Sequence, residues 1–426
     1  MLAEEENTEA AAPQVNDDVS AEDLSDWLDR TKTSVLKVAI NDAQTDTSIR
    51  PVTTYAVTSE CPGNPHLNTT VRRRYSDFTF LFDLLKKRYS GMILPVLPEK
   101  KAMFKGERFI VVRMRGLNRW FQRLLEIPFL KSDAAVQEFL SVEGGENDSF
   151  ETIKKNWLED SETNWLDRPH IRRWRDQLSL YSLTDNCDGI IADSAERFSM
   201  QVQSLAKFAA SLNSTVTKIN TQGTASDAFM NATSNAETAS FTALEKYDDD
   251  SGIPDDVITA IRGVGGIWHE LTATYQNISS ITKGGAARIY ADLFLVEIKE
   301  AIAAYKHALD VISTLKAFRY NLTSAENRSI SYKASLEKLR EKRGEQDPKV
   351  EACAENIRIE TEKIASFRAE ILAVQKGLTC SQLASFAAQQ AVDTKRLLVN
   401  AAAVQAAIAS RRCSVWNKLA QAALEE

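Results

Sequence analysis

The chain has 426 residues, 43% of them hydrophobic, and a formal net charge of -7, which fits two or three domains with at least one sizeable core. No run approaches the roughly 18 to 20 apolar residues that span a bilayer, and MLAEEENTEAAAPQ is acidic where a secretory leader starts basic and then apolar, so a cytosolic chain is expected. Cys61, Cys187, Cys353, Cys380 and Cys413 are scattered without a CxxC pair, which excludes a disulfide framework or a zinc site and leaves them as packing residues.

Charge is unevenly spread. The first 30 residues carry ten acidic side chains against one Arg, and residues 1–32 have too few large apolar groups to fold alone, so disorder is expected there. Within them SAEDLSDWLDR could form a helical turn that presents Leu24, Trp27 and Leu28 to a partner's groove; the alternative is that Trp27 lies on the neighbouring domain.

Residues 33–145 read as a compact α+β domain. SVLKVAI, PVTTYAVTSE and NTTVRRRY are short Val-, Thr- and Tyr-rich runs between turn residues, which predicts a small antiparallel sheet. After Tyr75 the period changes. Phe78, Leu81, Phe82, Leu84, Leu85 and Tyr89 mark a helix with Ser76 as its expected N-cap, GMILPVLPEKK breaks it, and further helices are predicted near 107–125 and 134–140. Residues 71–123 hold fourteen Lys or Arg against four Asp or Glu, so an acidic average conceals a basic module.

Residues 146–182 read as a linker that can form an amphipathic helix, with Phe150, Ile153 and Trp157 at helical spacing and Trp165 and Trp174 beyond. Such a helix could lie in a membrane interface. The acidic residues between Glu151 and Glu162 favour packing against the helical domain instead.

Residues 183–426 carry only helical patterns. Two heptad seams stand out, Phe198, Val202, Leu205, Phe208, Leu212, Val216, Ile219 and Val350, Cys353, Ile357, Ile364, Phe367, Ile371, Val374, Leu378, the second interrupted by Glu360. Three long helices separated by DDDSGIPDD and RGEQDPK account for the rest, and helices roughly 100 Å long predict that the apolar stripe closes against a second copy. The stretch from Leu315 to Arg343 has eight Lys or Arg against three Glu, which is either a solvated face or a surface for anionic headgroups.

No HExxH, GxSxG or GxxxxGK[ST] is present and the four histidines lie far apart, so neither catalysis nor a cofactor is expected. Nucleic-acid binding is disfavoured by net acidity and by the lack of an aromatic platform. A scaffold or adaptor whose basic cluster holds another polyanion is the competing reading.

Arg73-Arg74-Tyr75-Ser76-Asp77-Phe78, then Pro95-Val96-Leu97-Pro98-Glu99-Lys100, then RMRGLNRWFQRLL from Arg113, resemble the phox-homology (PX) domain. With three long helices behind it, the chain is similar to the PX-BAR sorting nexins, and RRRYSDF, LPEK and SVWNKL are most similar to the sorting nexin 8 branch. The resemblance implies a small sheet packed on helices, followed by an all-α BAR domain that dimerises. It also implies binding of phosphatidylinositol 3-phosphate on early endosomes during cargo sorting, with membrane tubulation, a homodimer or higher oligomer, and cargo tails or coat proteins as partners. By this match Arg74 meets the 3-phosphate, Tyr75 lies under the inositol ring, Lys100 reaches the 1-phosphate and Arg113 binds ring hydroxyls, while the adjacent Lys101 competes with Lys100 to point inward. A guanidinium fork suits a phosphate because its donors form paired, charge-assisted bonds. Possible membrane contacts are Met92 and Ile93 of the loop, or else these pack beneath it, together with Lys316, Arg319, Lys338, Arg340, Lys342 and Arg343. The short loop Gly91–Leu97 argues against deep insertion.

Overall fold

The computed structural model describes residues 36–46, 52–62, 64–99, 107–143, 149–160, 178, 180–183, 185–245 and 255–425. The expected disordered N-terminus, Leu24, Trp27 and Leu28, Lys100, Lys101, Trp165 and Trp174 lie outside these residues.

Three strands form an antiparallel sheet in the order β1 (Lys37–Thr45), β2 (Thr53–Glu60), β3 (Thr69–Arg74). Ile40 faces Val57, Val57 faces Val71 and Tyr55 faces Arg73, so the period of two turns one face inward through Val38, Ile40, Tyr55, Val57, Val71 and Arg73. On this face lie α1 (Tyr75–Arg88), α2 (Glu107–Leu125) and α3 (Ala134–Ser141). Phe78 is the hub of their core, with Tyr55, Trp120 and Phe139 rings at 6.4, 6.1 and 5.0 Å. Arg88 and Asp133 pair at 3.2 Å with side chains 1% and 0% exposed, and Asp133 also caps α3 by accepting from the Ala135 amide at 2.8 Å. A desolvated pair of this kind needs further hydrogen bonds: Arg88 also donates to the Trp157 carbonyl at 3.1 Å, and Asp133 also accepts from the Tyr89 phenol.

The helix α4 (Ser149–Asp160) buries Phe150 and Trp157, but against the first domain rather than the helical half: Phe150 meets Phe139, Trp157 meets Phe80, and the Trp157 carbonyl accepts from Arg88. The expected partner was wrong because α1 and α3 leave an aromatic groove that local spacing does not reveal.

Beyond it run three helical stretches, as expected. The first is α5 (Cys187–Glu245). The second is α6 (Asp255–Ser279) continued through π-helical segments Ser280–Ala286 and Tyr290–Leu295 into α7 (Val296–Arg343). The third is α8 (Pro348–Gly377), continued through the π-helical Leu378–Gln382 into α9 (Leu383–Glu425). The turn between α7 and α8 ends one helix with Gly344 at φ +79 and starts the next with Pro348 and the Asp347 carboxylate, which accepts from the Lys349 amide at 2.8 Å. No described helix is long and apolar enough to cross a membrane.

Contacts divide the chain into two units, one comprising residues 1–202 with 303–388 and the other 203–302 with 389–426. In the first unit the seam of α8 is largely filled by the chain itself: Val350, Cys353, Val374 and Leu378 are buried, so this stripe is not kept whole for a second copy. Glu360, its polar interruption, is 5% exposed and receives Arg328 of α7 at 2.9 Å and Lys363 at 2.9 Å, which fixes the register of α7 against α8. In the second unit Leu212, Tyr290, Phe294, Leu295 and Ile298 form the core. The heptad of α5 passes through Ala209, half-buried on this core, rather than Phe208, which is 50% exposed. The larger side chain drew the expected stripe one residue out of phase.

Within the first unit the loop after α1 docks on α7 and α8. Gly91 has φ +94, and a Cβ there would stand 2.5 Å from Val374 Cγ2, so only glycine permits the approach. Met92 is 3% exposed and Leu94 2%. Met92 is therefore not a membrane contact: its side chain belongs to the core. The Leu94 amide donates to His307 Nε2 at 3.2 Å, and the His307 ring meets the edge of Phe82 at 5.9 Å.

Burial, aided by the Lys86 ammonium and opposed by Asp310, pushes the His307 pKa down from 6.5 to about 4. The unfolded chain thus takes up the proton first as pH falls, so the stabilisation is complete above about 6.5 and is lost toward 4, by at most about 3 kcal/mol. Thermal unfolding should shift downward across that window, and His307→Gln should flatten part of the shift. An equally steep fall in the variant would assign the acid sensitivity to other groups.

Candidate functional site

Strand alternation sorts the three consecutive arginines. Val71 and Arg73 face inward, whereas Arg72 and Arg74 face outward. Arg73 is 1% exposed. Its guanidinium donates to the Phe139 carbonyl at 3.0 Å, the Arg72 carbonyl at 3.0 Å and the Val142 carbonyl, and lies 3.9 Å from the Phe150 ring centroid. Burial lowers its pKa to about 10, with Asp77 opposing, so it stays charged at neutral pH. Arg72 pairs with Asp42 at 3.0 Å and donates to Thr54 Oγ1 at 3.1 Å.

Arg74 ends the strand and caps α1, so the N-cap is this residue and not Ser76. The helix starts two residues early because Asp77 reaches back to accept the Arg74 amide at 2.7 Å, while Lys154 of α4 holds the same carboxylate at 2.7 Å. The Arg74 side chain is exposed and makes no ion pair with any described residue.

Tyr75 opens the helix beside it. Its phenol donates to the Pro98 carbonyl, and burial raises its pKa, with Arg113 opposing, so the proton that bond needs is kept. The Arg113 guanidinium of α2 stands 4.2 Å from the Tyr75 ring centroid and 3.9 Å from that of Phe109, held between two aromatic faces. Trp120 Nε1 donates to the Pro95 carbonyl at 3.0 Å, which ties the proline loop to α2. Arg74, Tyr75 and Arg113 are thus gathered where strand, helix start and α2 meet, at the positive end of the α1 dipole. The chain reaches Lys100 two residues beyond Pro98, outside the described residues.

Of the other expected contacts, Ile93 is half-buried and its amide donates to Gln382 Oε1 at 2.6 Å. Lys316, Lys338, Arg340 and Lys342 are exposed and form no ion pair with a described residue, whereas Arg319 is engaged by Asp188. The Arg343 side chain is outside the described residues. Sequence reading missed Phe109, four residues before Arg113 on the same helix, a spacing that could have revealed it. It also missed His307 and Gln382, which carry no local signal because the loop they hold is 213 and 289 residues away.

Residues 62–143 match the PX domain. The chain is 43% identical over 74 residues to sorting nexin mvp1 of Aspergillus fumigatus, covering 17% of this chain and 10% of that protein. It is 36% identical over 77 residues to vacuolar protein sorting-associated protein vps5 of Schizosaccharomyces pombe, covering 18% and 16%. The matched stretch is therefore a small part of these relatives' own length. The cryo-EM structure of the SNX-BAR Mvp1 tetramer superposes with a TM-score of 0.60 at 16% identity, covering 90% of this chain and 99% of that one. A PX domain carrying three long helical stretches in this arrangement defines the SNX-BAR class of fold. Residues 62–143 are a PX domain, and the chain as a whole shares the fold of that SNX-BAR structure.

Replacing Arg73 with alanine leaves the Phe139 and Val142 carbonyls unmet in the core and should cost about 2 to 5 kcal/mol. Arg74→Ala at the exposed position should stay within about 0.5 kcal/mol of the parent. Denaturant titration of the two variants checks the contrast, and equal losses would mean that Arg74 also carries the fold.

Proposed function

We propose that this chain is a non-enzymatic peripheral membrane protein of endosomes that recognises phosphatidylinositol 3-phosphate through Arg74, Tyr75, Arg113 and one of Lys100 and Lys101. Its helical half associates with a second copy, and the assembly senses or shapes curvature during cargo sorting and retrieval. Its place in the sorting nexin 8 branch belongs to the same proposal. The observation that carries it is the exposed Arg74, without an ion pair among the described residues, beside a Tyr75 ring already stacked under Arg113. A monoester phosphate brings close to two charges and three acceptor oxygens to such a fork, and the aromatic face suits the C–H surface of an inositol ring.

Association has its own support. Among the described residues of the second unit, eleven large apolar side chains lie exposed, Phe229, Val264, Ile267, Leu398 and Trp416 among them. Solitary apolar residues at a surface are ordinary, but a concentration like this marks an interface. The exposed Lys338, Arg340 and Lys342 then supply screened attraction to anionic lipid, about 1 kcal/mol each near a charged leaflet. Two headgroup pockets in one assembly act through effective concentration, so modest single-site affinity suffices.

Vesicle flotation across the phosphoinositides is the deciding measurement. The parent should float with vesicles carrying the 3-phosphate and Arg74→Ala should not, whereas flotation indifferent to headgroup would point to a scaffold that holds polyanions in general. Light scattering should give at least twice the chain mass at micromolar concentration. A double variant, Val264→Glu with Ile267→Glu, should lower it toward one chain, because each carboxylate must desolvate to associate.

A further inference from the structure

The loop between α1 and the headgroup site is fastened at both ends, by groups from different parts of the first unit. At its start, two successive backbone amides point away from their own domain: Ile93 donates to Gln382 Oε1 at 2.6 Å and Leu94 to His307 Nε2 at 3.2 Å. At its end, the Pro95 carbonyl accepts from Trp120 at 3.0 Å and the Pro98 carbonyl accepts from Tyr75. Between the ends lies Pro95-Val96-Leu97-Pro98, in which two residues have φ fixed by their rings. Leu94 precedes Pro95 and Leu97 precedes Pro98, so both are biased to extended backbone. The segment is a stiff strut of about 13 Å at most, and a displacement at one end is handed to the other.

The seat on the helical side is built for this contact. The π-helical Leu378–Gln382 widens the turn after α8, which rotates Gln382 back toward the face that carries Val374 and Leu378. Val374 is the residue against which Gly91 packs without room for a Cβ. His307 is held by the edge contact with Phe82, and one turn along α7 Asp310 meets Lys86 of α1 at 3.7 Å. A wide helical turn, a glycine with positive φ and two side-chain acceptors all converge on the first four residues of one loop.

We propose that His307 and Gln382 are positioning residues of the headgroup site, setting through the proline strut the Pro98 carbonyl that fixes Tyr75. The inference rests on the headgroup reading given above. It gives the helical half a role in recognition besides association, since the pocket is shaped by residues more than 200 positions away in sequence.

The test uses the full chain with His307→Ala, Gln382→Ala, His307→Gln and Tyr75→Phe, read by binding of soluble inositol 1,3-bisphosphate and by amide hydrogen exchange. Each alanine variant should bind about fivefold more weakly, the effect of one lost hydrogen bond. His307→Gln should recover most of the affinity because it restores an acceptor. In a cycle, His307→Ala should add little to Tyr75→Phe, since both act through the position of Pro98. Exchange should quicken at Val96, Leu97 and Glu99 as well as at Ile93 and Leu94. Quickening confined to Ile93 and Leu94, additive losses, or a glutamine variant as weak as alanine would each overturn the inference. Gln382 is only half-buried, so its variant keeps the core and the test stands if His307→Ala fails to fold. A parent chain that ignores the headgroup would instead remove the functional reading, and the reach of the exchange effect alone would then decide whether the strut transmits.

Discussion

One carboxylate decides where the candidate site is. Asp77 accepts the Arg74 amide at 2.7 Å and the Lys154 ammonium at 2.7 Å, with the Asp77 and Lys154 side chains 10% and 11% exposed. The first bond stops β3 and starts α1 within a single residue, so Arg74 and Tyr75 leave the junction in opposite roles, one out to solvent and one against Arg113. The second ties that junction to α4, where Lys154 also pairs with Glu151, and loss of the ammonium would leave the largely desolvated Asp77 carboxylate without its counter-charge. Every later feature of the site depends on this corner. If the helix began at Ser76, Tyr75 would belong to the strand, and its phenol could not keep both Pro98 and the Arg113 stack.

The three arginines in a row show how a period of two turns one residue type into three functions. Arg73 is drawn inward between Val142 and Phe150 and acts as a polar pin that joins the sheet to α3 and α4. Arg72 reaches across the outer face of the sheet to Asp42 of β1. Arg74, alone of the three, has no ion pair or cation–π contact among the described residues. Composition cannot make that distinction, since all three count equally toward a basic cluster; register can, because Tyr55 opposite Arg73 places that side chain on the core face.

That difference marks what could be read from the sequence. The alternation in PVTTYAVTSE, the helical spacing from Phe78 to Leu85 and the two long breaks are local signals, and the strands and helices follow them closely. The match of Arg74, Tyr75 and Arg113 to a family pattern likewise names residues that the fold does gather. What failed was non-local or a matter of phase. Met92 stood open between a membrane contact and a place beneath the loop because its core cluster draws on helices more than 200 residues distant, and Trp157 chose α1 and α3 over the helical half for a similar reason. Phe208 was read into the heptad because a large apolar side chain outweighs an alanine when phase is judged by eye, although Ala209 keeps the three-four spacing between Leu205 and Leu212. Glu360 could be located as an interruption, but its meaning needed Arg328, which belongs to the preceding helix.

The second unit turns the usual arrangement of side chains partly inside out. Its helix contacts bury Ser226, Thr233, Thr274, Ser279 and Thr282, with Thr272 bonding to Thr233 at 2.9 Å, Arg412 donating to Thr282 at 3.1 Å and Lys283 paired with Asp227. Phe229 meanwhile stacks on Tyr275 at 5.2 Å and Trp416 meets the same ring at 6.0 Å, yet both outer rings stay about half exposed. Small polar contacts let helices approach closely and fix their register, but they release little apolar surface from water, so one copy gains limited hydrophobic stabilisation from its own folding. The missing burial is available on the outside of the same helices, where Val264, Ile267, Leu398 and Val399 remain wet. Under the proposed association, covering that surface would return stability to the chain and tie folding of the second unit to assembly. On the proposed function the two halves would then work by different forces: directed, charge-assisted bonds at the Arg74 corner and shape-tolerant apolar contact along the helices.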